Sequence, residues 1–127
     1  MKEIESLKKE LLKVKEIFGI ILYGSYATGK TDKRSDIDLC LVLKTNIEEK
    51  IKKVYKETLI LSGKSEKYDI KIFESLSLKI KFAVISEGKI LYAKNKQELL
   101  EYFYFYRKLW KDQSINWLEK KNLLASA

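Results

Sequence analysis

Residues 24–39 read GSYATGKTDKRSDIDL, and they follow an apolar run, FGIILY, that is typical of a buried strand. Residues 24–31 fit the phosphate-loop pattern G-x-x-x-x-G-K-S/T at every fixed position. A phosphate loop requires a helix that opens directly on the Lys-Thr pair, so that the helix N-terminus faces the phosphates. Only five residues separate Thr31 from the next apolar run, IDLCLVL, too few for a crossover helix to a parallel strand. The match therefore does not indicate a P-loop enzyme.

The second apolar run carries two aspartates. Strand alternation over 37–43 places Asp36 and Asp38 on the same face as Cys40. Two carboxylates about 4 Å apart repel each other by roughly 4 kcal/mol at an effective dielectric of 20, so a cation between them is expected. Because the chain contains no His, oxygen ligands favour Mg²⁺ or Mn²⁺ over zinc. The other interpretation is a solvated Asp-x-Asp turn, and the pair alone leaves both open.

The glycine loop and the aspartate pair together form the pattern G-S-x-x-x-G-x-x-x-x-x-S-D-I-D-L over residues 24–39. This pattern resembles that of the nucleotidyltransferases of the DNA polymerase beta superfamily, and most closely the minimal nucleotidyltransferases (MNT) of prokaryotes. The resemblance implies that Gly24 and Ser25 bind a nucleoside triphosphate. It also implies that Asp36 and Asp38 hold two divalent metal ions, with a third carboxylate supplied by a neighbouring strand.

The third carboxylate has two candidates in this sequence. Asp69 interrupts the apolar alternation of KYDIKIF, as Asp38 interrupts the earlier strand, and is our prediction. Glu74, at the end of the same strand, is the alternative. Lys71 shares the face of Asp69, so an exposed edge-strand aspartate is the competing interpretation.

The remaining residues of the motif are assigned to nucleotide binding. Gly29 and Ser35 occupy fixed positions of the family pattern. Lys30 and Arg34 are either further phosphate contacts or solvated loop charges. The implied substrate is ATP, and the implied cofactors are two Mg²⁺ ions, with Mn²⁺ as a possible substitute.

The apolar pattern predicts one α/β (α+β) domain over residues 1–127, with a mixed sheet of about four strands flanked by helices. The apolar residues of the first predicted helix recur at helical spacing, and they are Ile4, Leu7, Leu11, Leu12 and Val14. The second predicted helix presents one apolar face, formed by Ile47, Ile51, Val54, Tyr55, Thr58 and Leu59. We expect Thr45 or Asn46 to cap the second helix and Asn95 to start the last one, with Glu98 in capping-box register. Residues 76–88 also alternate as a strand would, but we assign them to a short helix. The predicted elements are helix 3–17, strand 19–23, strand 37–43, a helix to about 62, strand 67–73, helix 76–88, strand 89–93 and a final helix from 95.

The last helix contains the aromatic stretch EYFYFYRKLW, residues 101–110. Helical spacing places Phe103 and Trp110 away from the face that carries most of the other large side chains. We expect half of these side chains in the core and the rest, with Phe103 and Trp110 among them, at a protein interface. The side chains predicted to share a face are Tyr102, Phe105, Tyr106 and Leu109.

Composition limits the partners. Hydrophobic residues make up 46% and charged residues 35%, and the net charge of +8 suits an anionic ligand or partner. No aromatic-basic recognition motif appears, which argues against nucleic-acid binding as the main role. No apolar stretch approaches the roughly 20 residues of a membrane span. With one Cys and no visible export signal, a cytoplasmic protein is expected.

The resemblance implies a function as well as a site. Minimal nucleotidyltransferases pair with small helical proteins of the HEPN class, which are toxins, and act as antitoxins by transferring AMP from ATP to a toxin tyrosine. The leading hypothesis is therefore a Mg²⁺-dependent AMP transferase of this kind. The alternatives are a non-catalytic antitoxin that neutralises its partner by contact, or transfer to a small molecule or RNA.

Overall fold

The computed structural model describes residues 2–24, 37–62 and 67–125, and within those ranges it describes side chains from residue 4 to residue 113. The predicted order of helices and strands and the mixed four-strand α/β class are both confirmed. A short 3-10 turn, Phe73–Ser75, follows the third strand. The main elements are α1 (Lys2–Leu11), β1 (Gly19–Tyr23), β2 (Ile37–Val42), α2 (Glu48–Leu61), β3 (Tyr68–Ile72), α3 (Leu78–Glu87), β4 (Lys89–Ala93) and α4 (Lys96–Ala125).

The described strands form one sheet in the order β3-β2-β1-β4. β1 is antiparallel to both β2 and β4, whereas β2 and β3 are parallel. The parallel pair requires a crossover, and α2 supplies it. β1 and β2 therefore form the centre of the sheet, and β3 is an edge strand among the described residues.

A hydrophobic cluster packs on each face of the sheet, and β2 contributes to both. Leu39 and Leu41 point to the face covered by α1 and α2, while Cys40 and Val42 point to the face covered by α3 and α4. The predicted alternation of β2 is thus confirmed. Burying a side chain of this size contributes roughly 1.5–3 kcal/mol, which fixes the register, because a one-residue slip would invert every side chain.

The first helix is shorter than predicted. It ends at Leu11 rather than near residue 17, and Leu12, which we expected to be buried, is 42% exposed. The chain then turns through bonds such as that from the Val14 N–H to the Leu11 carbonyl. Val14 and Ile17 are still buried, so their apolar spacing reflects packing of the turn rather than continuation of the helix.

The apolar face of α2 is narrower than predicted. Val54 and Thr58 are buried, but Ile47 is 51% exposed and Tyr55 is 41% exposed. Neither proposed cap occupies the N-cap position, which belongs to Ile47; the Thr45 hydroxyl instead accepts a hydrogen bond from the Ile47 N–H at 3.2 Å. The buried face is narrow because α2 packs at the edge of the sheet, where it contacts β3 and α1 and its other sides stay exposed.

The later boundaries agree closely with the sequence. Residues 78–87 are helical, with the Ser77 hydroxyl accepting from the Ile80 N–H, and the helix ends before Gly88. β4 has the predicted bounds, and the Asn95 side chain accepts a hydrogen bond from the Glu98 N–H at 3.0 Å, as a helix cap does.

The aromatic face of α4 differs from the prediction. Phe103 is 5% exposed and packs on Phe73 with ring centroids 5.4 Å apart, so it belongs to the core. Trp110 is partly buried and stacks on Phe82. The exposed side chains are Tyr104 (67%), Phe105 (58%) and Leu100 (48%). The difference arises because α4 packs against α3 and also against the sheet, and this packing buries Leu99 and Phe103.

None of the helices in the described part of the chain is long and apolar enough to span a membrane.

Candidate active site

Gly24 follows the last residue of β1 in a conformation that favours glycine. Its φ is +74°, in the left-handed region that side chains rarely adopt. A Cβ at this position would lie 2.3 Å from Oδ2 of Asp38, far inside van der Waals contact. The backbone of Gly24 therefore packs directly against the Asp38 carboxylate, which no side chain at residue 24 would permit.

Three polar side chains lie in a row across β1, β2 and β3. Tyr23 is the Cα partner of Asp38, and Asp38 is in turn the Cα partner of Asp69. Directly paired residues of neighbouring strands project to the same face of a sheet, and neighbouring strands are about 4.8 Å apart. The structure thus brings together two of the carboxylates that the sequence singled out, although the whole of α2 separates them along the chain.

Asp69 is accessible to solvent. Its side chain is 47% exposed, and Oδ2 lies 3.9 Å from Nζ of Lys71, which is 48% exposed. An exposed pair at this distance is worth less than about 1 kcal/mol, so Lys71 does not hold Asp69 tightly. A ligand can displace Lys71 from Asp69 at little cost.

Glu74, the alternative third carboxylate, lies elsewhere. Its carboxylate accepts hydrogen bonds from the backbone N–H groups of Leu43 and Lys44, at 3.0 and 3.1 Å, and from the Tyr102 hydroxyl at 2.7 Å. The two backbone partners, Leu43 and Lys44, follow the C-terminal end of β2, whereas Asp38 is near its N-terminal end. Glu74 therefore joins β2 to α4 and is separated from Asp38 by the length of the strand.

Tyr23 is a site residue that the sequence reasoning missed. Burial, followed by the nearby Cys40, Asp38 and Asp69 groups, raises the pKa of Tyr23 well above its ordinary value. The phenol therefore stays protonated well above physiological pH, next to Asp38 in the row across the strands. Its position as the last residue of a strand before the glycine loop was the available signal.

Cys40 is the next residue along the same face of β2. It is fully buried, and burial, then the charge of Glu74, raises the pKa of its thiol, with Lys71 opposing weakly. A buried neutral thiol is a poor metal ligand and a poor nucleophile. The donors that this face offers to a cation are therefore carboxylate oxygens.

The other predicted site residues lie outside the described residues. They are Ser25, Gly29, Lys30, Arg34, Ser35 and Asp36. Among the residues that the structure describes, no group of three Cys, Asp or Glu side chains is placed to hold a metal ion. The assignments of these residues to nucleotide and metal binding stay predictions.

The rejection of a P-loop is confirmed by the sheet. A phosphate loop links a strand to a helix that crosses over to a parallel neighbour, but β1 and β2 are antiparallel partners over the whole of β1. The strands before and after Lys30 are therefore antiparallel neighbours, which is not the strand arrangement of a P-loop enzyme.

Comparison with known proteins identifies the fold and the relatives of the chain. The family model described as polymerase beta, nucleotidyltransferase matches residues 5–97. A Methanocaldococcus jannaschii protein named "Putative protein adenylyltransferase" is 46% identical over 97 residues, which cover 76% of this chain and 72% of that protein.

Solved structures extend the likeness in fold to nearly the whole chain. A chain of a toxin-antitoxin complex crystallised with AMP-PNP superposes with a TM-score of 0.70 at 19% identity, covering 91% of this chain and 92% of that one. A complex of the tri-AMPylated Shewanella oneidensis HEPN toxin with its MNT antitoxin gives 0.63 at 17% identity, with coverages of 90% and 91%. At these identities the likeness concerns the fold.

Proposed function

This chain belongs to the polymerase beta family of nucleotidyltransferases, and on that premise we propose that it transfers AMP from ATP to a tyrosine hydroxyl of a small helical partner protein of the HEPN class. A relative at 46% identity is named as a protein adenylyltransferase, which supports a protein as acceptor. The toxin-antitoxin complexes that share the fold support the class of partner and an antitoxin role. We propose a cytoplasmic location, as the sequence predicts.

The observation that carries the proposal is the arrangement of Gly24, Asp38 and Asp69. A glycine with positive φ ends β1, its backbone contacts one carboxylate, and that carboxylate is paired in register with a second. Two apolar strands tolerate a pair of adjacent carboxylates, one on each strand, when the pair binds a cation, because the repulsion between the carboxylates is then offset.

The donor set fits divalent cations of the magnesium type. Asp36, Asp38 and Asp69 would hold two Mg²⁺ ions, or Mn²⁺ in their place, since these ions prefer carboxylate oxygens and the chain has no His. When bound, such ions supply activation of the attacking hydroxyl and charge stabilisation of the departing pyrophosphate.

The chain's own residues bind and orient the reactants. Gly24 and Gly29 would allow the backbone to approach the triphosphate, and the Ser25 hydroxyl together with backbone N–H groups would donate hydrogen bonds to its β- and γ-phosphates. Lys30 and Arg34 add positive charge to the same loop. Tyr23 keeps its phenol proton beside the carboxylate row, in register with Asp38, and so adds no negative charge there.

The reaction balances with ATP as the only co-reactant. The acceptor oxygen forms a bond to the α-phosphorus, and the bond from the α-phosphorus to the bridging oxygen of the β-phosphate breaks. Pyrophosphate leaves with the electron pair of that bond. Asp69, at the solvent-exposed end of the row, takes the hydroxyl proton and releases it to water.

Asp36→Asn/Asp38→Asn tests the catalytic part of the proposal. With ATP and Mg²⁺, the parent chain should label a co-purified small helical protein and release pyrophosphate, and the double variant should do neither. Thermal stability in metal-free buffer should be unchanged or higher, because a like-charge repulsion is removed. Full transfer by the variant would overturn the assignment.

The same experiment separates the alternatives. If the double variant still neutralises the partner, contact alone is sufficient and the antitoxin role does not need transfer. If the label appears on a small molecule or on RNA while the proteins stay unmodified, the transferase stands and the HEPN partner is wrong.

The exposed aromatic side chains of α4 give a second test, aimed at the partner. We propose that Tyr104 and Phe105 contact it, because they are the most exposed aromatics among the side chains of α4 described up to residue 113. Tyr104→Ser/Phe105→Ser should weaken partner binding in a pull-down and leave ATP binding unchanged. Ile60→Ser, which alters a 71% exposed residue of α2, is the control. Equal partner binding by all three proteins would remove α4 from the interface.

A further inference from the structure

A groove of about 420 Å³ runs along the outer edge of β3, beside the candidate active site. One wall is α2 and the other is β3 with the residues that follow it. Its floor is largely apolar, and Asp69 forms part of its lining. The residues that line it are Ile51, Lys52, Tyr55, Lys56, Asp69, Ile70, Lys71, Ile72, Ser75 and Leu76.

The rim of the groove is basic. Lys52, Lys56 and Lys71 line it, and Asp69 is the only acidic side chain among the lining residues. Lys52 is 3.5 Å from Glu48 and Lys71 is 3.9 Å from Asp69, but these ion pairs are largely exposed to solvent. Exposed pairs of this kind are weak, so both ammonium groups can exchange their partner for a ligand carboxylate.

The groove and Gly24, where we propose that the triphosphate binds, lie at opposite ends of the row formed by Tyr23, Asp38 and Asp69. Gly24, Asp38 and Asp69 follow one another across β1, β2 and β3, and the groove lies beyond β3. In an in-line displacement the attacking and leaving oxygens lie on opposite sides of the phosphorus. If Gly24 holds the β- and γ-phosphates, as the proposed function has it, the leaving group lies on the β1 side of the phosphorus. The acceptor hydroxyl would then approach from the side of β3.

The shape of the groove suits an extended chain. β3 has five residues and is about 16 Å long, and it is the last strand of the sheet in the described residues. A peptide along such an edge forms main-chain hydrogen bonds, while alternate side chains enter the pockets beside it. The half-exposed Tyr55 ring and the basic rim would then meet apolar and acidic side chains of the peptide.

We infer that this groove binds an extended acidic segment of the acceptor polypeptide and delivers its hydroxyl to Asp69. The inference rests on the proposed function, because it names the route by which the acceptor reaches that site. The net charge of +8 agrees with an acidic partner, and the groove is where three of those positive charges adjoin the carboxylate row.

Binding of a short peptide tests the inference without catalysis. The probe is a fluorescein-labelled peptide in which Glu alternates with Val and Tyr, and the comparison peptide has Lys for every Glu. Fluorescence anisotropy should show saturable binding of the acidic peptide only. Lys52→Glu/Lys56→Glu should weaken that binding about tenfold or more, because both changes place like charge on the rim.

Lys50→Glu/Lys53→Glu is the matched control. It makes the same change of net charge on the same helix, and neither residue lines the groove. The control should bind the acidic peptide within about twofold of the parent, whereas a general charge effect would weaken both variants equally. Equal weakening, or no saturable binding by the parent, overturns the inference. The inference is also overturned if Lys52→Glu/Lys56→Glu binds a single-stranded RNA probe more weakly than the parent does but binds the acidic peptide equally well.

Transfer kinetics separate a failure of the groove from a failure of the proposed function. With a polypeptide that the parent labels, the groove variant should raise KM for that acceptor about tenfold and leave kcat within about threefold. An unchanged KM overturns the groove and leaves the transferase intact. If no polypeptide is labelled although the acidic peptide binds in the groove, the proposed function fails and the groove loses its role as acceptor site.

Discussion

Gly24→Ala should abolish activity while costing little stability. The residue has a φ of +74°, and an added Cβ would lie 2.3 Å from Oδ2 of Asp38. The new methyl group thus creates two problems: backbone strain, and a clash that the Asp38 side chain can relieve by rotating. Rotation moves the Asp38 carboxylate away from its position beside Asp69.

The two effects differ in magnitude. A non-glycine residue in the left-handed region costs about 1–2 kcal/mol, which for a chain of this size lowers the melting temperature by roughly 4–8 °C. Displacing a reacting or metal-binding group by about 1 Å costs about 100-fold in rate. We therefore expect a folded variant that has lost at least about 99% of its transfer activity.

The assay measures both quantities on the same preparation. Thermal unfolding gives the stability loss, and pyrophosphate release from ATP gives the activity of the folded fraction. Gly19→Ala is the control: the same substitution at the other end of β1, where the new Cβ would be 3.2 Å from a Leu99 methyl group and φ is not positive. It should retain activity. Parent-like turnover by folded Gly24→Ala would refute the placement of Asp38 in the active site.

Three further predictions follow from the same geometry. Glu74→Gln should lower the free energy of unfolding by about 1–3 kcal/mol in urea titrations, because it weakens three hydrogen bonds, but ATP binding should persist, and the exposed Glu87→Gln should change neither. Burial, and then contacts with Tyr106 and Glu74, raise the pKa of Tyr102 above its ordinary value, so the folded state retains the proton that the unfolded chain loses. Stability should therefore fall as the pH rises above about 10, and less steeply in Tyr102→Phe. Ser25→Ala should reduce ATP turnover more than Lys30→Ala does, the reverse of the order expected for a P-loop enzyme.

The sequence predicted most accurately the elements that are bounded by a glycine. β1 and β4 have their predicted bounds because Gly24 directly follows β1 and Gly88 directly precedes β4. α1 was predicted too long because Val14 and Ile17 are buried at helical spacing although the chain there is turning. Apolar spacing reports burial, and burial does not require a continuous helix.

The choice between Asp69 and Glu74 illustrates what local pattern leaves open. Asp69 lies near the start of β3 and Glu74 lies in the 3-10 turn just after its end, and only the parallel register with β2 decides which one adjoins Asp38. The partners that hold Glu74 are 31, 30 and 28 residues distant in sequence. Likewise, the groove beside β3 depends on how α2 packs at the sheet edge, which a helical periodicity does not specify.

The single thiol of the chain, Cys40, allows local opening of the fold to be measured by its rate of chemical modification. Cys40 is wholly buried between the sheet and the layer formed by α3 and α4, one alternation step from Asp38, so an alkylating reagent reaches it only when those helices move away from the sheet. The modification rate then measures the free energy of that opening, without an engineered probe. A ligand that binds only the closed sheet, at 100 times its Kd, should slow alkylation about 100-fold. ATP, acidic peptide and partner protein can each be ranked in this way, even with a variant that performs no chemistry.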